Sequence, residues 1–244
     1  MTRHVGIARI GAAHRFPDPL VDDVDDLVGV GGDLHPDRVL VAYRSGIFPW
    51  YSEGRPILWH CPDPRFVLDP LQVTVPRSLA KVVRKATFEI RVDTSFSAVL
   101  DGCAHTPRPR QRGTWLTTDL RQAMVALFDR GVAHSIEAWH EGALVGGLYG
   151  LHIGGVFCGE SMFAKVSDAS KVAFTHFLGV APSWGIRLVD CQVHTEHLAR
   201  FGAVHVPRAS FLRALAALRD LPVPPNAWRT NPLPPPSWPI PPHS

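Results

Sequence analysis

With 244 residues, 45% of them hydrophobic and 19% charged, the chain has the composition of a soluble protein with a real core, which excludes global disorder. Its formal net charge of +3 does not by itself mark an anion binder, because a surface of mixed sign averages to such a value. The four cysteines, Cys61, Cys103, Cys158 and Cys191, form no C-x-x-C pair and no regular framework, which fits reduced thiols and a cytoplasmic protein.

The first fifteen residues lack the continuous apolar run of a secretory signal, being broken by Arg3, His4, Arg9 and His14. Turn signals follow at Phe16-Pro17-Asp18-Pro19 and Val30-Gly31-Gly32-Asp33. A short helix is expected to start near Pro36, which suits the first helical position, and to stop at Gly46. Residues 57–59 read as a strand, and Cys61-Pro62-Asp63-Pro64-Arg65 as a proline-punctuated turn. These features predict a small N-terminal domain over 1–67.

A mixed α/β domain is expected over 68–221. Residues 78–86 form a predicted helix with Arg77, Lys81, Arg84 and Lys85 on one side and Leu79, Val82 and Val83 on another. From these residues alone it is either a solvated face or a phosphate-binding track, with Arg91, Arg108, Arg110 and Arg112 adding cations nearby. Residues 88–92 alternate as a strand, and 118–130 read as a helix opened by threonine caps and closed by Gly131. Residues 135–139, 143–151 and 156–159 form a predicted antiparallel meander with turns at His140-Glu141-Gly142 and Gly154-Gly155. The apolar run 143–157 is too short and glycine-rich to span a membrane. A helix from Ala169, a strand over 187–192 and a helix over 211–218 complete the domain.

The residues after 221 differ in kind. Ten of the 23 prolines lie in this tail, which predicts extended polyproline II or disorder with no packed core.

Four blocks stand out as chemistry rather than packing: Gly146-Gly147-Leu148-Tyr149-Gly150, Cys158-Gly159-Glu160-Ser161-Met162-Phe163, Ala169-Ser170-Lys171 and Val189-Asp190-Cys191-Gln192. His194-Thr195-Glu196-His197 lacks the H-E-x-x-H pattern and any evident third ligand, so no metal is expected. Cys191 beside Asp190 is a poor nucleophile, because the carboxylate disfavours a thiolate. No G-x-x-x-x-G-K-[ST] phosphate loop is present.

Taken in order with Val30-Gly31-Gly32-Asp33-Leu34, Gly46-Ile47-Phe48-Pro49-Trp50, Pro62-Asp63-Pro64-Arg65, Gly113-Thr114-Trp115 and His134-Ser135-Ile136-Glu137, these blocks closely resemble the leucyl/phenylalanyl-tRNA-protein transferase family over roughly residues 10 to 228. The resemblance implies a small N-terminal domain and a larger one with a sheet like that of GCN5-related acetyltransferases. It implies transfer of Leu or Phe, less readily Met, from Leu-tRNA or Phe-tRNA to proteins with N-terminal Arg or Lys, marking them for degradation. No cofactor is needed at that step, and a monomer is expected. By position, Asp190, Gln192 and Glu160 would lie at the reaction centre. Leu148, Phe157, Met162, Phe174, Phe177 and Val189 would wall the aminoacyl pocket, and Trp50 and Trp115 the tRNA 3′-end site. Within that frame Asp190 is expected to hold the cationic acceptor residue, Gln192 to orient its amine, and the helix bearing Arg77, Lys81, Arg84 and Lys85 to meet tRNA phosphates. The rival readings are an acyl-CoA N-acyltransferase, which would need a pyrophosphate-cradling loop that is not evident, and a non-enzymatic RNA-binding module.

Overall fold

The computed structural model describes residues 7–13, 15–20, 25–106 and 116–236. Over these residues it is a mixed α/β protein with two sheets. The smaller sheet has the order β1-β2-β4-β3, from β1 (Ala8–Ile10), β2 (Leu27–Gly31), β3 (Phe48–Pro49) and β4 (Leu58–His60), with helix α1 (Pro36–Arg44) between its second and third strands. As expected, Pro36 opens α1 and Gly46 follows its end at φ +75°.

The larger sheet has seven strands in the order β11-β5-β10-β9-β8-β7-β6. Its centre is the expected meander, β7 (Ala133–His140), β8 (Ala143–Ile153) and β9 (Val156–Ala164), paired antiparallel throughout. β10 (Leu188–Gln192) joins β9 in parallel, and β5 (Arg65–Leu68) joins β10 antiparallel, followed by β11 (Val204–Val206). β6 (Glu89–Val92) closes the other edge. The boundary expected after residue 67 falls inside β5.

Two buried clusters form, one on each face of this sheet. The front cluster joins the smaller sheet and α1 to α3 (Phe96–His105), α4 (Thr118–Asp129) and α7 (Arg208–Leu218). The rear cluster contains α2 (Arg77–Arg84), α5 (Ala169–Val180) and a 3-10 turn (Ala181–Trp184). A short helix, α6 (Glu196–Ala199), follows β10.

The tail departs from expectation. Residues 222–236 pack on the protein, and Ala227, Trp228 and Leu233 are buried in the rear cluster. Proline content had suggested no packed core, but the aromatic and aliphatic residues between the prolines bury apolar surface against the sheet.

Candidate active site

Two irregularities in neighbouring strands open the site. β9 and β10 pair in parallel only as far as Cys158 and Asp190. Beyond that point β8 pairs Tyr149 with Ser161 and Gly150 with Gly159, which leaves Glu160 as an extra residue in β9. Likewise β5 meets Asp190 and then Gln192, which leaves Cys191 extra in β10. Each bulge breaks its ladder and bends its strand. A side chain at Gly150 would put its Cβ 2.3 Å from the Cys158 carbonyl oxygen, so the first bulge requires glycine. Gln192 adopts φ +63°, a left-handed conformation that non-glycine residues hold only when the surroundings impose it.

Between the parted strands lies a cavity of about 380 Å³. Its apolar wall includes Leu148, Met162, Phe174, Val189 and Leu198, and its polar side includes Glu160, Asp190, Gln192 and Thr195. Phe48, Pro49 and Trp50 from the smaller sheet border it, and Trp50 is 45% exposed. Glu160, expected at a strand end, lies inside β9, which continues to Ala164.

The cavity therefore gathers the three expected reaction-centre residues, four of the six expected pocket residues and one of the two tryptophans. Phe157 and Phe177 do not line it. Both are fully buried behind the wall, with their rings 4.5 Å apart. Trp115 lies outside the described residues, as do Arg108, Arg110 and Arg112. Arg77, Lys81, Arg84 and Lys85 are exposed on α2, which packs against α5 through Leu79 and Val83, and none of the four borders the cavity. The Gly146–Gly150 block is a packing device as well as a site feature. A Cβ at Gly146 would come 2.6 Å from the Ala169 methyl, so glycine there seats the start of α5, whereas Leu148 and Tyr149 face the cavity.

The two carboxylates are held in opposite ways. Asp190 is 1% exposed and pairs bidentately with Arg65, at 2.7 Å to Nε and 2.6 Å to Nη2. Arg65 is equally buried, and its guanidinium lies 4.9 Å from the Phe48 ring centroid and 4.5 Å from that of Phe211. Burial opposes the Arg65 charge, but the Asp190 carboxylate holds its pKa above the ordinary value. Asp190 Oδ1 also accepts from the Gln192 backbone N–H at 2.9 Å. The expectation that Asp190 grips an acceptor cation is thus corrected: its charge is already neutralised, and its remaining bond fixes the bulge at Gln192.

Glu160 has no cationic partner at bonding distance among the described residues. Gln192 Nε2 donates to Glu160 Oε1 at 2.6 Å, and the Tyr43 hydroxyl faces the same carboxylate outside strict hydrogen-bond geometry. Burial is the largest influence on Glu160; the nearby Tyr43 hydroxyl, the Gln192 bond and the Arg65 charge oppose it, Asp190 reinforces it, and the carboxyl is raised from 4.5 to about 7. With its NH₂ end committed to Glu160, Gln192 has its amide oxygen to offer an incoming donor.

Sequence reasoning placed none of Arg65, Tyr43 and His197 at the reaction centre. An arginine inside the buried strand Arg65–Leu68 was the available sign of a buried counter-charge. His197 borders the cavity, and burial together with Lys171 and Arg200 lowers its imidazole pKa to about 4. The Cys191 thiol is pushed up by burial and by Asp190, which makes it a packing residue.

Comparison with known proteins adds an independent line. The family described as leucyl/phenylalanyl-tRNA protein transferase matches residues 67–216, and the N-terminal domain described under the same name matches residues 32–63. The chain is 54% identical over 213 residues to a leucyl/phenylalanyl-tRNA–protein transferase of Myxococcus xanthus (strain DK1622), covering 87% of this chain and 91% of the relative. A protein of the same name from Anaeromyxobacter dehalogenans (strain 2CP-C) is 49% identical over 231 residues, covering 95% of this chain and 99% of the relative.

Proposed function

Because the chain belongs to the leucyl/phenylalanyl-tRNA protein transferase family, we propose that this aminoacyl-tRNA transferase moves Leu or Phe, and less readily Met, from the tRNA 3′ end to an N-terminal Arg or Lys. Such a modification would mark the acceptor for the N-degron pathway, in the cytoplasm and with the enzyme acting as a monomer. The observation that carries the reading is the cavity itself, with an apolar wall for the payload facing the Glu160–Gln192 pair across one open space.

In this reading the payload side chain lies against Leu148, Met162, Phe174 and Val189. Because the wall is apolar, it separates payloads differing by a methylene by only about 1–3 kcal/mol, so mixed acceptance of Leu, Phe and Met follows. Trp50 stacks on the terminal adenosine from the rim. Trp115 belongs to the same 3′-end site by resemblance. The exposed cations of α2 meet acceptor-stem phosphates.

The chemistry needs an amine with its proton removed. An α-amine has a pKa of roughly 7.7–8.0, and a carboxylate near 7 is closely matched to it. Glu160 is that carboxylate. The amine nitrogen attacks the ester carbonyl carbon, a C–N bond forms, and the bond from that carbon to the ribose oxygen breaks. The ammonium form gives up its first proton to solvent; on attack by the neutral amine Glu160 receives the further proton that the nitrogen sheds and returns it to the departing ribose oxygen, so the carboxylate is regenerated. Gln192 orients the amine through its amide oxygen, and Asp190 with Arg65 holds Gln192 in place. Most of the barrier reduction comes from positioning, worth about 7–11 kcal/mol in favourable cases. No cofactor enters these steps.

Incubation of the purified protein with radiolabelled Leu-tRNA and a peptide beginning with Arg or Lys, without ATP or metal, tests this. Label should enter the peptide and should fail to enter one that begins with Ala or is N-acetylated. Tight tRNA binding without any transfer would refute the enzymatic reading and favour an RNA-binding module.

A further inference from the structure

The strap formed by residues 222–236 is fastened at several points. The Asn231 side chain accepts from the Val92 N–H at 2.7 Å and donates to the Val92 carbonyl at 2.9 Å. The Leu233 N–H donates to the Ile90 carbonyl at 2.7 Å, and the Pro234 carbonyl lies 3.0 Å from His176 Nδ1. Since β6 ends the seven-stranded order, these bonds cover an otherwise open sheet edge.

Edge protection does not account for Trp228. This residue takes φ +62° and turns its indole into the rear core, where it is 7% exposed. Nε1–H donates to His152 Nδ1 at 2.9 Å, and the ring stacks on His134 with centroids 4.1 Å apart and planes within 4°. On its other side it stands 4.4 Å from Trp184, 5.8 Å from Phe157 and 5.9 Å from Phe177. Phe177 is 6.2 Å from Phe174 in a stacked pair, and Phe174 borders the cavity. A chain of three rings thus runs from the strap to the wall.

We propose that Trp228 is a positioning residue that sets the depth of the aminoacyl pocket through Phe177 and Phe174, so that the C-terminal strap takes part in selecting the payload. The inference rests on the reading of the cavity as the payload site. Protein interiors are close-packed, and a void left by a large-to-small change is only partly filled by relaxation of its neighbours. Truncating Trp228 gives Phe177 room to retreat and Phe174 room to follow it, which deepens the pocket and favours the larger payload.

The test compares kcat/KM for Phe-tRNA with kcat/KM for Leu-tRNA in each variant. Loss of folded protein lowers both values equally and cancels in the ratio, so a merely structural role leaves the ratio unmoved. Trp228→Ala should raise the Phe-to-Leu ratio about 3- to 10-fold, less than the roughly 10- to 200-fold that a methylene inside an apolar pocket is worth, because the change acts through two intervening rings. Trp228→Phe should raise it less and keeps the test available if the alanine variant does not fold. Leu120→Ala, in the opposite core and fully buried, serves as a comparably destabilised control and should leave the ratio unchanged. A shift with Phe174→Leu but none with either Trp228 variant would overturn the proposal and leave the pocket reading intact. If Phe174→Leu does not move the ratio either, the pocket reading falls and the proposal with it. An equal shift in Leu120→Ala would reveal general softening and overturn the role of Trp228.

Discussion

Asp190 and Glu160 lie on adjacent strands, Asp190 just before one bulge and Glu160 at the centre of another, yet the two parts of the site are built on opposite principles. The Asp190 side is closed. Its charge is cancelled by a buried arginine of the same sheet, whose guanidinium is held between one aromatic ring from the smaller sheet and one from α7. The Glu160 side is open to the cavity, carries no ion pair among the described residues, and leaves its carboxyl raised to about 7. A carboxylate with a partner supplies architecture, whereas one left without a partner in a partly desolvated place supplies chemistry near neutral pH.

The largest expected effect comes from breaking the closed side. Asp190→Asn leaves Arg65 charged and uncompensated in the interior, and should destabilise the fold by about 3–5 kcal/mol. Replacing both partners, as Arg65→Met with Asp190→Leu, should recover much of that loss, because the second buried charge goes too. Transfer activity should not return, since Gln192 has lost the bond that fixes its bulge. Chemical denaturation beside a transfer assay measures both, and an Asp190→Asn protein as stable as the parent would contradict the assignment.

Changing the open side should produce the reverse pattern. Glu160→Gln removes the proposed proton acceptor and should slow transfer by about 10²–10⁴-fold. Its stability should rise instead. The Glu160 carboxyl is raised in the folded state from 4.5 to about 7, so its contribution to stability is intact below pH 4.5 and is lost as pH climbs through 7. The variant should match the parent at pH 4 and exceed it above pH 7 by on the order of 1–3 kcal/mol, measured by denaturation across that range. In the parent, transfer should rise with pH through about 7 as Glu160 ionises, and the variant should lack that limb. A parent profile flat from pH 6 to 8 would count against Glu160 as the acceptor of the proton.

The same contrast explains what could be seen in the sequence. The β7–β9 meander and α4 were legible because alternation, threonine caps and turn glycines are local signals, and Glu160, Asp190 and Gln192 stood in conspicuous polar blocks between apolar strands. The short strands β1, β2 and β11 were not; the equally short β6 was read because apolar and polar residues alternate along it. Helix α3 was also missed; its N-cap Ser95 makes no side-chain cap bond, and Pro107 just past its end was read only as part of the following loop. Arg65 read as the end of a turn because its counter-charge lies 125 residues away in the chain. Trp228 was hidden by the prolines around it, which speak for backbone conformation and not for the seat that His134, His152 and Trp184 offer its ring. Phe157 and Phe177 were assigned to the wall when they stand behind it, a difference of one layer that no local pattern encodes.

Trp50 and the α2 cations extend the comparison outward, from groups proposed to act on the reacting atoms to groups proposed to hold the rest of the tRNA. Trp50→Ala should weaken aminoacyl-tRNA binding by about 1–3 kcal/mol, the usual worth of one base stacked on an aromatic ring. The effect should appear in KM, with kcat nearly unchanged. An equal loss in kcat would mean that Trp50 shapes the reaction centre and not merely the 3′-end site.

The smallest effect per residue belongs to α2. Arg77, Lys81, Arg84 and Lys85 are exposed, so each phosphate contact is worth little at physiological ionic strength and shows itself chiefly in salt dependence. Each neutralised phosphate contributes a slope of about −0.9 for duplex or −0.7 for single-stranded nucleic acid to the plot of log K against log salt, values set by counterion release. Lys81→Ala with Arg84→Ala should therefore flatten that slope by about 1.4–1.8 for tRNA while leaving stability and single-turnover transfer from bound complex unchanged. If the slope stays where it was, the helix is a solvated face and the tRNA runs elsewhere. The two alternatives left open by the periodicity of 78–86 are separated by that one plot, because a solvated cation releases no phosphate counterion and a phosphate-binding one must.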